Sequence, residues 1–412
     1  MRSRQNGEII GALDVGSNKV ACLIFEQPIN RAGHVLAPRI LGVGHQRSAG
    51  LKSGVITNVV EAETAIRLAV DQAERTANVT LQSVYAAISC GRLSSLSFSA
   101  HAQITGFVRD ADIARVFEGA RAYAERGERT LVHMNRKAFR LDGTAGGDDP
   151  RGLAASKLTA DMHAVTADVG AFRNLMHVVE RCHLTVDGLV AAPYASALAV
   201  TTEDERRYGV TVIDMGGGTT TWAVFHEGQF ANCEVLATGG HHLTFDIAQN
   251  LRCSLAEAER IKALYASMVN AKSDVSDRFS YSPSPSSESG FHQMTRASLC
   301  EVVRPRIDGL LQTIATKLHA LGYGGSEVVL TGGASQLVGL AAYAAHFFGG
   351  SVRLGRPQAL PGLATGADSP AFATVVGLGF VAPDSAPDAL DGSHGSPGGY
   401  LSRVGRWIGS SF

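Results

Sequence analysis

One short pattern occurs twice in this chain, half its length apart: Ala12-Leu13-Asp14-Val15-Gly16-Ser17-Asn18-Lys19-Val20 and Val212-Ile213-Asp214-Met215-Gly216-Gly217-Gly218-Thr219-Thr220. In each copy an apolar β-branched run leads into Asp, then glycine and small hydroxyl residues, then a second apolar run, Val20 to Phe25 or Trp222 to Phe225. That order specifies a β-hairpin with a tight turn. Turn glycines let backbone N–H groups come close to phosphate oxygens, and each Asp stands where it can hold a hydrated Mg²⁺. Capping its own turn is the other role open to either Asp. A single copy would read as an ordinary glycine-rich hairpin, but two can close on one nucleotide, which favours metal-water positioning by Asp14 and Asp214. A chain built this way is expected to fold as two similar α/β lobes around a cleft.

A third element supports the same site. Val328-Val329-Leu330-Thr331-Gly332-Gly333-Ala334-Ser335 reads as a buried strand ending in a glycine pair and opening a helix from Ser335 to Ala345. Gly332, Gly333 and Ala334 leave room for an adenosine ring and ribose.

Composition narrows the class. The chain has 412 residues, 45% of them hydrophobic, and a net charge of −1, with mean hydropathy of +0.06. These are the properties of a water-soluble protein with more than one domain, and the lack of a polybasic field argues against nucleic acid as a partner. No segment approaches the ~20 apolar residues of a membrane span, and Met1 to Gly7 runs into the first strand without a signal-peptide core. A cytoplasmic location is therefore expected. Six cysteines lie scattered without C-x-x-C spacing, which suits reduced packing thiols rather than disulfides or a zinc site.

Strand and helix patterns alternate along the chain. In Val59 to Ala77, Ala62, Ala65, Ile66, Ala69, Val70 and Ala73 recur at helical spacing. From Ser83 the texture changes: strands are expected at 83–89, 94–108, 130–141 and 157–166, with a helix at 110–124, forming an inserted α+β subdomain. The main fold resumes with a helix at 171–182, a strand at 184–190 and a small-residue helix at 193–200. Past the second hairpin, helices are expected at 243–251, 255–266 and 295–320. The Ser/Pro-rich stretch from Asn270 to Gly290 reads as a mobile surface loop.

With these segments in place the chain resembles the FtsA family, the bacterial cell-division branch of the actin and sugar-kinase superfamily. The likeness runs from about Ile9 to Val381. It includes Gly50 to Ile56, Ser83 to Ser89, Leu131 to Gly143, Asp149-Pro150-Arg151-Gly152 and Pro193-Tyr194-Ala195-Ser196-Ala197. It implies an actin-like, ribonuclease H-like two-lobe fold. Subdomain 1A would take residues 7–82 and 166–207, the family-specific 1C 83–165, 2A 208–242 and 322–382, and 2B 243–321. It further implies an ATP- and Mg²⁺-binding protein that polymerises with itself and binds the ring protein FtsZ through 2B. Later division proteins would be recruited through 1C, at the septum on the cytoplasmic face of the inner membrane.

The resemblance also assigns residues. Glu259 and Lys262 match a Glu-x-x-Lys that touches ribose or adenine in the superfamily, and Glu257 stands near them. An i, i+3 pair is also an ordinary surface ion pair worth ~0.2–0.5 kcal/mol. Lys19 either pairs with a β- or γ-phosphate or lies on the hairpin surface; its place within the first loop favours the phosphate. The chain departs from the family where many relatives place Asp after the second loop, having Thr221-Trp222 instead. Loss of that carboxylate leaves ATP binding better supported than hydrolysis, with weak or no ATPase activity expected. His241 stands where relatives often carry Asn or Gln, and a cap for the following helix suits His241 and His242 better than metal ligation.

The C-terminus is read from the residues themselves. Residues 383–398 are rich in Asp, Ser, Pro, Gly and Ala, a flexible tether. At about 100° per residue, Tyr400, Leu401, Val404, Trp407, Ile408 and Phe412 share one helical face, and Arg403 and Arg406 lie away from its centre. Such a helix is expected to lie in the surface of an anionic lipid membrane; a disordered tail or a helix docked on its own domain is the alternative. Two further readings use the same ATP site: a sugar or small-molecule kinase, and a pilus-assembly-type actin-like scaffold. Neither needs a terminal anchor.

Overall fold

The computed structural model describes residues 7–28, 37–90, 92–269, 276–283 and 290–381. The tether, the terminal amphipathic helix and residues 270–275 and 284–289 of the Ser/Pro-rich stretch lie outside the described residues.

The duplication seen in the two loops extends to whole sheets. In the first, Glu8–Val15, Lys19–Gln27 and Arg39–Arg47 form an antiparallel meander, and Ser83–Ile88 and then Thr185–Ala191 add in parallel beside the first strand. In the second, Val210–Met215, Thr220–His226 and Gln229–Leu236 form the meander, and Glu327–Thr331 and Val352–Leu354 add in the same way. Parallel additions require crossovers. Helix Val59–Ala77 supplies the first, opened by Asn58, whose side chain accepts from Val60 N and Glu61 N, and closed by left-handed Asn78. Its alanines let it lie close on the sheet where Gly42 and Gly44 carry no side chain; a Cβ on Gly44 would stand 1.9 Å from Ala69 O. In the second lobe the crossover runs through Gly240–Leu251, Leu255–Tyr265 and Arg296–Ala320. One apolar core runs through the first lobe, the insertion and one face of the second lobe's sheet, and a second core, centred on the fully buried Trp222, Ile213 and Met215, fills the other face of that sheet.

The insertion is α+β, as expected, but it is not separate. Ser94–Gln103, Lys157–Asp168, Arg129–Leu141 and Thr144–Ala145 form its sheet, backed by helix Asp110–Ala124. Glu234 pairs with Ser94, so this sheet continues that of the second lobe, nine strands among the described residues. Cys233 N donates to Ser95 Oγ at 2.6 Å. Ser95 Oγ lies 3.0 Å from His163 Nε2, and His163 Nδ1 lies 2.9 Å from Asn135 Oδ1. Asn135 Nδ2 completes the chain by donating to Phe230 O at 3.2 Å. With Ser95 donating to Nε2 and Nδ1–H donating to Asn135, the imidazole is satisfied in its neutral form. His133 Nε2 accepts from Ala191 N of the first lobe at 2.9 Å.

Burial pushes both histidines down to about 3 from the usual 6.5, aided in His133 by His163 and in His163 by Lys137. A group depressed in the folded state binds more protons when unfolded below pH 6.5, so stability is complete above that pH and falls as pH drops toward 3. Each histidine contributes a slope of at most ~1.4 kcal/mol per pH unit. His163→Gln is expected to flatten the decline in urea midpoint between pH 6.5 and 5; an unchanged slope would show that His163 does not drive it.

Two sequence expectations are corrected. The stretch 270–290 is not all loop: Arg278–Tyr281 pairs with His292–Thr295, because Phe279 and Tyr281 alternate inward and Phe279 stacks on Tyr265 at 4.3 Å. The helix expected over 335–345 is instead a 3₁₀ turn, Gly333–Gln336, then an α-helix, Leu340–Phe348. Between them Val338 O accepts from Met268 N at 2.7 Å, and Gly339 takes φ +75° where a Cβ would meet Val269 Cγ2 at 2.3 Å. That tertiary bond holds the segment out of helical geometry.

Candidate functional site

The two hairpin turns have the same internal bond. Gly16 N donates to Lys19 O at 3.0 Å and Gly216 N to Thr219 O at 2.9 Å, and Asp14 and Asp214 sit one residue before the last strand pair in each. The turns face each other so closely that a Cβ on Gly218 would stand 2.4 Å from Ser17 Oγ. Bulk at that position would push the lobes apart.

Between them lies a cleft of about 470 Å³. From the first turn it is lined by Asp14, Gly16, Ser17, Asn18 and Lys19, and from the second by Asp214, Gly216, Gly217, Gly218 and Thr219. Gly332, Gly333 and Ala334 line it from the third element, and Glu259 and Lys262 from the helix Leu255–Tyr265. Thr220 is not in the lining: strand alternation turns it away, its hydroxyl donating to Thr238 O at 2.7 Å, and Thr221 lines the cleft instead. Trp222 points into the core. Glu257 faces elsewhere, bonded to Arg260 and Ser282 N.

The Asp214 carboxylate is held by hydroxyls of two helices, Ala192–Val200 and Ala373–Leu378. Ser196 Oγ donates to Asp214 Oδ2 at 2.5 Å and Thr374 Oγ1 at 3.1 Å. Gly332, at φ +86°, leaves space a Cβ would take 2.2 Å from Asp214 Oδ1. Burial pushes the Asp14 carboxyl up to about 7, Lys19 opposing and Asp214 reinforcing the shift. Burial also raises Asp214, against its bonds from Ser196 and Thr374. Lys19 is lowered to about 8 by burial, offset by both Asp residues; its Nζ donates to Ala371 O at 2.7 Å and lies 3.0 Å from the centroid of the Phe372 ring. Lys262 Nζ donates to Glu259 at 2.7 Å, Thr244 at 2.8 Å and Gly240 O at 3.1 Å. Two desolvated carboxylates beside two ammonium groups make a site that gains from both an oxygen-ligated cation and a polyanion.

Ser196 and Thr374 escaped the sequence reading. Ser196 lies in the recognised segment Pro193 to Ala197, but its partner Thr374 carried no local signal. The capping expectation holds for His242, whose Nδ1 accepts from Gly239 N at 3.1 Å; His241 instead reaches Asn18.

Comparison with known proteins places this cleft in a family. The family model described as Cell division protein FtsA matches residues 211–377, and that described as SHS2 domain inserted in FTSA matches residues 91–166. The Cell division protein FtsA of Agrobacterium fabrum is 38% identical over 100% of this chain and 96% of its own length. That of Pseudomonas aeruginosa is 32% identical over 100% of both. The chain belongs to the FtsA family of cell division proteins. The inserted sheet is thus the SHS2 domain of that family. Among solved structures, the PilM-PilN type IV pilus biogenesis complex matches with a TM-score of 0.64 at 16% identity, over 90% of this chain and 97% of its own. MreB5 of Spiroplasma citri bound to ADP matches with a TM-score of 0.54 at 14% identity, over 91% and 96%. The fold is actin-like, with two lobes and the FtsA insertion.

Proposed function

We propose that this FtsA-family chain binds ATP with Mg²⁺ in the interlobe cleft, polymerises, and tethers the FtsZ ring to the cytoplasmic face of the inner membrane. The observation that carries the reading is the convergence of Asp14 and Asp214, from duplicated hairpins, on one cleft that also holds Lys19 and Lys262. The residues suit the ligand. The turn glycines leave space for a phosphate chain, and Gly332, Gly333 and Ala334 leave space for a nucleoside. Asp14 and Asp214 would position the cation through its water shell, and Lys19 would leave Ala371 for a phosphate oxygen. Bound Mg²⁺ would neutralise phosphate charge. Thr221 offers a hydroxyl where many relatives have a carboxylate, so binding rather than rapid hydrolysis is assigned to the site. The subdomains follow the boundaries given above, with FtsZ assigned to 2B and later division proteins to 1C.

Membrane attachment rests on residues 399–412. Full burial of a large apolar side chain contributes ~1.5–3 kcal/mol and an Arg near anionic lipid ~1 kcal/mol. Ordering each residue opposes this by ~1–2 kcal/mol. One anchor therefore binds weakly and reversibly, and polymerisation would make attachment firm through avidity. Among the described residues no helix is long and apolar enough to cross a membrane. With anionic vesicles, pelleting of the full chain is expected to rise with Mg·ATP and to be lost on truncation after Gly398 and in Trp407→Glu. Solubility of all three would eliminate the anchor and leave an ATP-dependent enzyme or scaffold.

A further inference from the structure

A side-chain pair links the first phosphate loop to the start of the helix Gly240–Leu251, whose backbone is bonded to the second loop. His241 Nε2 lies 3.1 Å from Asn18 Oδ1, and both residues line the cleft. The imidazole fits because Gly217 has no side chain: a Cβ there would stand 2.8 Å from Asn18 Cβ and 3.3 Å from His241 Nε2. Beneath the ring the backbone is fixed to the second turn, Gly240 N and His241 N donating to Gly216 O and Gly217 O at 2.9 and 2.8 Å. His241 thus moves with the second lobe while its partner moves with the first. Helix capping does not account for it, since His242 performs that task.

We propose that His241 is a positioning residue of the nucleotide site, tying the two loops together through Asn18 and taking a proton from solvent when a polyphosphate lies between them. The inference rests on the nucleotide reading above. With Asn18 Oδ1 accepting, Nε2 carries the ring proton and Nδ1 holds the lone pair that receives the second one. The groups around the ring are Lys262 and Glu259 from the neighbouring helix, His242 from its own, and Arg47 from the edge strand of the first sheet. Asp14 and Lys19 share the cleft. Burial, then Lys262, hold the imidazole below its usual value and only Glu259 opposes them, so it is neutral at pH 7. Phosphate charge reverses that balance. An uncharged Asn or Gln at this position would tie the loops but take up no proton.

The test is calorimetric binding of Mg·ATP to the full chain and to His241→Gln and Asn18→Ala, at pH 6 and pH 8, in buffers of differing ionisation heat. Asp14 and Lys19 titrate nearby, so the readout is the difference between variant and wild type at each pH. The wild-type advantage over His241→Gln is expected to grow at least about threefold from pH 8 to pH 6, within the tenfold-per-unit limit for one proton, and His241→Gln is expected to lose the proton uptake. Asn18→Ala, at an exposed position, is expected to weaken Mg·ATP about three- to tenfold and to leave adenosine binding unchanged. Wild-type proton uptake in His241→Gln, or wild-type affinity in Asn18→Ala, would overturn the proposal alone. A wild-type chain that fails to bind Mg·ATP at all would overturn the nucleotide reading, and the proposal with it.

Discussion

Asp214→Asn is expected to weaken Mg·ATP binding more than ~100-fold while leaving the melting temperature unchanged or higher. The carboxylate is buried, and burial disfavours its charge even with Ser196 and Thr374 bonded to it. Removing one partner of a buried charge interaction costs ~3–5 kcal/mol, which exceeds two tenfold steps in affinity. The amide oxygen of Asn can still accept from Ser196 or Thr374 and carries no charge to desolvate, so the fold loses little. Calorimetric titration together with thermal melting separates these effects. Wild-type affinity in the variant would remove Asp214 from the cation site and leave it a turn-capping role.

Gly377→Val is expected to lower stability by more than ~3 kcal/mol, read as a drop in urea midpoint. Helices Ala192–Val200 and Ala373–Leu378 cross at this residue, and a Cβ on Gly377 would lie 1.8 Å from Ala195 O. Overpacking costs ~1–3 kcal/mol when side chains can yield, but here the obstacle is backbone inside a closed core. The same crossing carries Ser196 and Thr374, 2.9 Å apart, so separating the helices would also release Asp214. A wild-type midpoint would mean that the helices can part without loss.

What could be read in the sequence is what local chemistry determines. Both hairpin turns and the helix Val59–Ala77 were legible because glycine placement and 3.6-residue periodicity act within a few residues, whereas the Asn58 cap of that helix went unread. Convergence of the two turns was legible through their repetition. The Ser196–Asp214–Thr374 triad was not, since its outer members lie 178 residues apart and neither is unusual where it stands. The hairpin at Phe279 and Tyr281 was hidden by its serine-rich neighbours, and the break at Leu337 to Gly339 by a bond from Met268, an element of another part of the fold. Thr220 and Thr221 were separated only by which face of the strand each occupies, a parity set by the register with Asp214.

The SHS2 insertion leaves and rejoins the first lobe along the chain, yet its sheet is stitched to the second by Glu234–Ser94 and Ser95–Cys233, while His133 holds Ala191 of the first. It therefore bridges the two lobes. Any rotation that opens or shuts the lobes must either bend the strands from Ser94 and Gln229 or swing the insertion as a lever. Occupancy of the cleft would then be felt mechanically at the far tip of the insertion, without any messenger side chain in between.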